Sequence, residues 1–276
     1  MTWHASLHLQ YTRNDNKTVA HFQHEGPLRI LQSLYPEGDA VCHNVLVHPP
    51  GGLVGGDTLE IQVSVKENCH ALVTTPGATR FYKSLGDPAR QTVKARLEEG
   101  ARLEWLPLEA LAYNRCLAEN QAVFELAPSA ELMGWDVTAL GLPASDLPFE
   151  QGSFSQHIEV PGIWREQGRV QASDLRLMNG PLGLAGQRCM ATLFFVAGRP
   201  IERNRRESAL EEVRTLMRTH ALGASSGATS PHPQVLVIRV LAPLVEPALN
   251  LLKALRASWR ASLWDMTAVP PRVWNT

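Results

Sequence analysis

Through its first two hundred residues the chain alternates apolar and polar side chains at every second position, and no helix long enough to carry one parallel strand across to the next interrupts the pattern. Trp3, Ala5, Leu7, Leu9 and Tyr11 alternate with His4, Ser6, His8 and Gln10; Leu59, Ile61, Val63 and Val65 share a face, as do Val93, Ala95 and Leu97, and Ala101, Leu103 and Trp105. This is the period of a strand with one face in a core. Further strands are expected over 41–47, 69–75, 121–126, 131–138, 153–160, 168–178, 191–197 and 234–242. The lack of crossover helices argues against a doubly wound α/β sheet and for a mainly β body, layered or coiled. Strand order is not readable from the pattern.

The period changes near the C-terminus, where two helices are expected. The first opens with Ser208 and Glu211 in capping-box spacing, carries Leu210, Val213, Leu216 and Met217 on one stripe and stops near Gly223. The second runs from about Pro247, a first-turn residue, with Leu251, Leu252, Leu255 and Trp259 at helical spacing. Between them "GASSGATSPHP" reads as a mobile surface loop. A chain of 276 residues, 44% hydrophobic, supports one large core, so residues 1–276 are read as a single domain; no internal repeat is visible.

Charge and cysteine usage narrow the function classes. With 26 basic and 27 acidic residues the chain has no global field to draw nucleic acid or an anionic membrane. No stretch approaches the apolar length of a membrane helix, and the start "MTWHASLHLQ" lacks a leader pattern, so a soluble, unexported protein is expected. Cys42, Cys69, Cys116 and Cys189 lie far apart and read as reduced thiols rather than a zinc site or a disulfide framework.

The densest loop signal is "HPPGGLVGGD", residues 48–57, four glycines and two prolines ending on Asp57. Gly51 and Gly56 have the spacing of a phosphate-binding loop, but Asp57 stands where that loop needs lysine. The decapeptide is either a wide turn or a turn that presents Asp57 to a cation or a partner. His48, fixed before Pro49, is a candidate transient metal ligand or else a turn histidine. The remaining histidines show no zinc-protease order, and no nucleophile elbow appears. A second dense segment, "ALVTTPGATRFYKS" at 71–84, turns at Pro76–Gly77 and sets Arg80, Phe81 and Tyr82 together, a composition that suits either a protein interface or a core with solvated cations. A β-sandwich metalloenzyme would need clustered His and Glu ligands, and a carbohydrate-binding module exposed aromatics at strand spacing; neither pattern is present.

Four blocks, "HPPGGLVGGDTL", "ALVTTPGATRFYKS", "LEWLPLEALAYN" and "PPRVWNT", in this order and spacing resemble the UreD/UreH family of urease accessory proteins over essentially the whole chain. The third block departs from the family's Pro-Gln-Glu-Thr, having Pro107, Leu108, Glu109 and Ala110. The resemblance implies a β-helical, mostly β body with two helices. It also implies a non-enzymatic cytoplasmic chaperone that binds apo-urease and the accessory protein UreF, and through UreF the GTPase UreG. Such a protein holds no tightly bound cofactor and passes Ni²⁺ transiently, through an internal tunnel. At matching motif positions it places Asp57, Lys83, Ser84 and Asp136 of "GWD" as tunnel or metal-transit candidates, with Asp174 of "ASDLRL" and His48 beside them. The Leu- and Trp-rich C-terminal region, with Trp259, Trp264 and Trp274, becomes a candidate for docking UreF, or else packs on the β body.

Overall fold

A computed structural model describes residues 2–275. The chain begins with a hairpin, β1 (His4–Asn14) and β2 (Lys17–Glu25), and a short strand β3 (Arg29–Leu34). It then winds through four coils. The first holds β4 (Val41–Val47), β5 (Gly52–Leu53) and β6 (Thr58–Val65), and the second β7 (His70–Thr74), β8 (Thr79–Phe81) and β9 (Ala89–Leu97). The third holds β10 (Arg102–Leu106), β11 (Ala110–Ala112) and β12 (Leu117–Leu126), and the fourth β13 (Glu131–Leu142), β14 (Leu147–Pro148) and β15 (Ser153–Val160). After these come β16 (Trp164–Gln171), the short helix α1 (Leu175–Asn179), β17 (Cys189–Ala197), α2 (Arg203–Arg218), β18 (Ser226–His232), β19 (Val235–Ala242) and α3 (Val245–Trp264).

The coils stack in parallel, and Val41, His70, Arg102 and Glu131 lie in one row, so successive coils are 29, 32 and 29 residues apart. One long side of the stack is sheet A, in the order β16-β15-β12-β9-β6-β1-β2; the other is sheet B, whose main path runs β18-β19-β17-β13-β10-β7-β4-β3. Sheet A has a wet outer face, hence its clean alternation. Sheet B is covered on both sides, by sheet A and by α2 and α3, and its strands accordingly read as unbroken apolar runs such as "HALVT", buried throughout. In β13 the two faces separate by parity: Leu132 and Leu140 point toward sheet A, while Met133, Trp135 and Val137 point toward the helices.

The mainly β reading holds, with both C-terminal helices present. Four details differ. Helix α2 begins at Arg203, capped by the Glu202 side chain accepting from Arg205 N at 2.9 Å, so Ser208 is an interior residue and not a cap. The segment read as a mobile loop contains edge strand β18, where Pro231 is tolerated. The strand expected over 168–178 stops at Gln171 and gives way to α1. Trp3 precedes β1 and is 54% exposed. The backbone repeat of the coils escapes the sequence because the corner loops differ in length and only apolar character recurs inside.

One buried charge cluster fastens α3 to sheet B. Arg256 and Arg260 of α3 are fully buried and converge on Glu104 of β10; Arg256 Nε donates to its Oε2 at 2.7 Å, and Arg260 Nη1 lies 3.3 Å from Oε1. The Arg256 Nη2 group is equally close to Oε2, at 2.7 Å, but is poorly aligned for a hydrogen bond. Arg260 also grips Glu37 through both terminal nitrogens, and His43 and His70 complete the shells of Glu37 and Glu104 at 2.7 and 3.1 Å. Burial pushes the Glu104 carboxyl up, but Arg256, His70 and Arg260 together outweigh it and hold the group down to about 2. Glu104→Gln leaves Arg256 in the interior without its counter-charge and Arg260 with Glu37 alone, and is expected to cost about 3–5 kcal/mol in urea unfolding at pH 7. Because the folded-state pKa is lowered, that contribution is present above about 4.5 and fades as pH falls toward 2, so the gap between wild type and variant shrinks over that range. An unchanged midpoint at neutral pH contradicts the assignment.

Candidate functional site: a polar seam between the sheets

In-register stacking brings same-level residues of successive coils side by side, and at one level the inward positions are polar rather than apolar. On sheet A, Gln91, Asn120 and Gln156 are consecutive partners in β9, β12 and β15. Facing them on sheet B, Asp136, Thr192 and Arg239 are consecutive partners in β13, β17 and β19. Most other inward positions are aliphatic or aromatic, and a separate buried polar contact, Tyr11 Oη donating to Asn44 Oδ1 at 2.8 Å, joins the two sheets elsewhere.

The side chains form two hydrogen-bonded groups, one around Asp136 and one around Glu166, whose charge is felt at Asp136. Gln91 Nε2 donates to Asn120 Oδ1 at 3.2 Å, and Asn120 Nδ2 to Asp136 Oδ2 at 3.2 Å. Thr138 Oγ1 donates to Asp136 Oδ1 at 3.0 Å, and the Gln156 side chain is also hydrogen-bonded to this carboxyl. On the far side Thr192 Oγ1 lies 3.4 Å from Glu166 Oε1, and Arg239 Nη2 donates to Glu166 Oε2 at 2.5 Å where the seam reaches solvent. At the near end a pocket of about 200 Å³ opens between the glycine-rich turn and the second coil, lined by His48, Gly51, Thr75, Arg80, Gln91 and Trp105 among others. The pocket is thus joined through Gln91 to the Asp136 group, and the Glu166–Arg239 pair lies beyond that group at the solvent edge. A larger hollow of about 920 Å³ lies on the outer face of sheet A, wide open to solvent, and shares no lining residue with the seam.

Asp136 is the carboxyl at the centre. Burial raises its pKa, and the charge of Glu166 adds to the rise; hydrogen bonds from Thr138 and Gln156 restore only part, leaving it at about 6. A carboxyl poised there is half-ionised near pH 6 and mainly ionised at neutrality. Among the described residues no group of three or more His, Cys, Asp and Glu side chains gathers to hold a metal.

The other sequence candidates fall into different places. Asp57 closes the glycine-rich turn: Oδ1 accepts from Trp3 N at 2.8 Å and Oδ2 from Val54 N at 2.9 Å. The glycines around it do not clear an open space; a side chain on Gly52 meets Tyr82, and one on Gly55 meets Ser84, so they let the next corner loop pack close. His48 sits at the pocket, its pKa lowered by burial and partly restored by the nearby Asp57. Lys83 is exposed, and the Ser84 hydroxyl holds its own loop by donating to Asp87 O and accepting from Gly86 N. Asp174 caps α1 by accepting from Leu177 N at 2.9 Å, away from the seam.

The aromatic candidates for partner contact are corrected by burial. Phe81 lies in the core against Phe154, with ring centroids 5.7 Å apart. Trp259 Nε1 donates to Ala209 O and ties α3 to α2, Trp264 Nε1 to Glu131 at 2.6 Å, and Trp274 Nε1 to Thr74 at 2.8 Å. All four are spent on the interior, because a large ring with one polar tip is the natural lock between layers. Tyr82 meets Tyr113 edge-on with ring centroids 4.8 Å apart, and Arg80 leans over the pocket to Gly51 O at 3.4 Å; both are half-buried. The seam residues Gln91, Asn120, Gln156, Glu166, Thr192 and Arg239 carried a signal of their own, a polar side chain in the inward register of an apolar strand.

The profile of the family described as "UreD urease accessory protein" matches residues 4–275. A protein of Polaromonas sp. is 62% identical over 275 residues, covering the whole of both chains. Proteins of Variovorax paradoxus and Paracidovorax citrulli are 59% and 61% identical over 276 and 274 residues, the first covering all of both chains and the second 99% of each. All three carry the name "Urease accessory protein UreD".

The raised pKa of Asp136 makes a stability statement of known sign. The unfolded carboxyl ionises near 3.8 and the folded one near 6, so the native state holds the extra proton between these values and loses stability as pH rises through them. Asp136→Asn removes that cost and is expected to raise the thermal midpoint at pH 7, with the gain disappearing below about pH 4. A gain independent of pH, or none at pH 7, counts against a buried acid at this position.

Proposed function

We propose that this chain, which belongs to the UreD family of urease accessory proteins, serves urease maturation as a non-catalytic scaffold that conducts nickel. In this reading it stands in the cytoplasm between apo-urease and UreF, with the GTPase UreG reached through UreF. Ni²⁺ is the cargo and no cofactor stays bound. The observation that supports the reading is the buried polar group around Asp136, reached from the His48 pocket through Gln91 and Asn120, with the Glu166–Arg239 pair beyond it at the solvent edge.

Chemically the seam suits transit better than storage. Its ligands are hard oxygens and amides, spaced one strand apart, so an ion meets one carboxylate at a time and moves on. His48 with neighbouring Asp57 stands at the mouth, and Asp136 is the midway station, its raised pKa leaving a minor protonated fraction that the cation displaces. The hydrogen-bonded amides of Asn120 and Gln156 orient that carboxyl from both sides. Lys83, Ser84 and Asp174 lie off this line and act on the loops that hold their own segments.

The test is reconstitution of apo-urease with UreF, UreG and this chain, supplied with Ni²⁺ and GTP. Wild type supports activation that needs both. Asp136→Ala still assembles, judged by size-exclusion chromatography, but activates urease about tenfold or more slowly, the loss typical when a metal-orienting group is removed. Full activation by an assembled Asp136→Ala complex removes the conduit reading.

A further inference from the structure

Resting on the conduit reading, we infer that Arg239 is a tethered cation occupying the outer seat of the seam, and that it makes the passage selective for divalent over monovalent ions. The row Asp136, Thr192, Arg239 steps from the interior to the sheet edge, and the next position outward in register is Gly227, which carries no side chain. Among the described residues the side-chain hydrogen bond of Arg239 is to Glu166 Oε2, at 2.5 Å. Thr192 Oγ1 engages the other oxygen at 3.4 Å, so the carboxylate is held from within and the arginine from outside.

Exposure separates the two partners. The Glu166 side chain is 21% exposed and the Arg239 side chain 54%, so the arginine swings into water at little cost while the carboxylate stays in place. Arginine suits this seat because it has donors only and so offers a metal no ligand, while its positive charge opposes a cation at Glu166 until the arm swings away.

Selectivity follows from charge. A potassium or sodium ion brings the same single charge as the guanidinium but lacks its tether, which gives Arg239 a high local concentration at Glu166. A divalent ion brings twice the charge and attracts Glu166 and the nearby Asp136 together, so it displaces the arm where a monovalent ion does not.

The experiment is calorimetric titration of the isolated full-length chain with NiCl₂, in potassium chloride and in tetramethylammonium chloride of equal ionic strength. Wild type is expected to give the same nickel affinity in both salts. Arg239→Gln is expected to bind nickel about tenfold more tightly in tetramethylammonium, within the usual range for one coupled charge, and to lose that gain in potassium. Arg239→Lys keeps the wild-type pattern, and adding Glu166→Gln to Arg239→Gln abolishes the gain. Because Arg239 is half exposed, the thermal midpoint serves as a check that the fold is intact. Arg239→Gln with wild-type affinity and no salt preference, or with no measurable nickel binding, overturns the inference. If that happens while Asp136→Ala still slows urease activation, the conduit stands and only the role of Arg239 falls.

Discussion

Parallel, in-register stacking of the coils governs what the rest of the molecule can be. Once Gln91 is hydrogen-bonded beside Asn120 and Asn120 beside Gln156, every inward position becomes part of a row that runs across the whole stack. An apolar row adds to the core. A polar row has to satisfy itself, and its cost is kept low here because Gln91 donates to Asn120 on the next strand, Asn120 donates across the sheets to Asp136, and Thr138 donates to Asp136 within their own strand.

The body must stay rigid if such a row is to keep its spacing, and the helical layer supplies that rigidity. Sheet B carries two apolar faces, so α2 and α3 are obligatory covers rather than appendages. The Glu104, Arg256, Arg260 and Glu37 cluster fixes where α3 sits, since buried charges tolerate few alternative registers. The C-terminal tryptophans add further locks, Trp264 and Trp274 to sheet B and Trp259 between α3 and α2. The face that sequence composition offers to a partner is thus largely used up in holding the protein together.

Much of the fold was legible in the chain. Period-two alternation located β6 at its observed bounds, and the amphipathic stripe of α3 placed that helix within two residues of its start. Strand β18 was not legible, because small polar residues on an edge leave no apolar face to read, and neither was the start of α2, where Arg203–Arg206 has no apolar period. The candidate site was legible in pieces. Asp136 stood out through its motif, and Asn120 between Ala118 and Ala122, or Gln156 between Phe154 and Ile158, breaks an inward apolar run. That these breaks lie at one level depends on register between strands some thirty residues apart, set by corner loops whose lengths follow no sequence rule. The glycine run misled in the opposite direction: its freedom serves close packing of loops, and Asp57 closes a turn.

The central claim is that a divalent ion crosses the interior between the sheets. Anomalous diffraction at the nickel edge, from crystals of the full chain frozen shortly after exposure to Ni²⁺, tests it most directly. Partly occupied nickel peaks strung along the seam, beside Asp136 and between the His48 pocket and Glu166, are the predicted result. Peaks confined to surface histidines, with the seam dry of metal at every exposure time, contradict it.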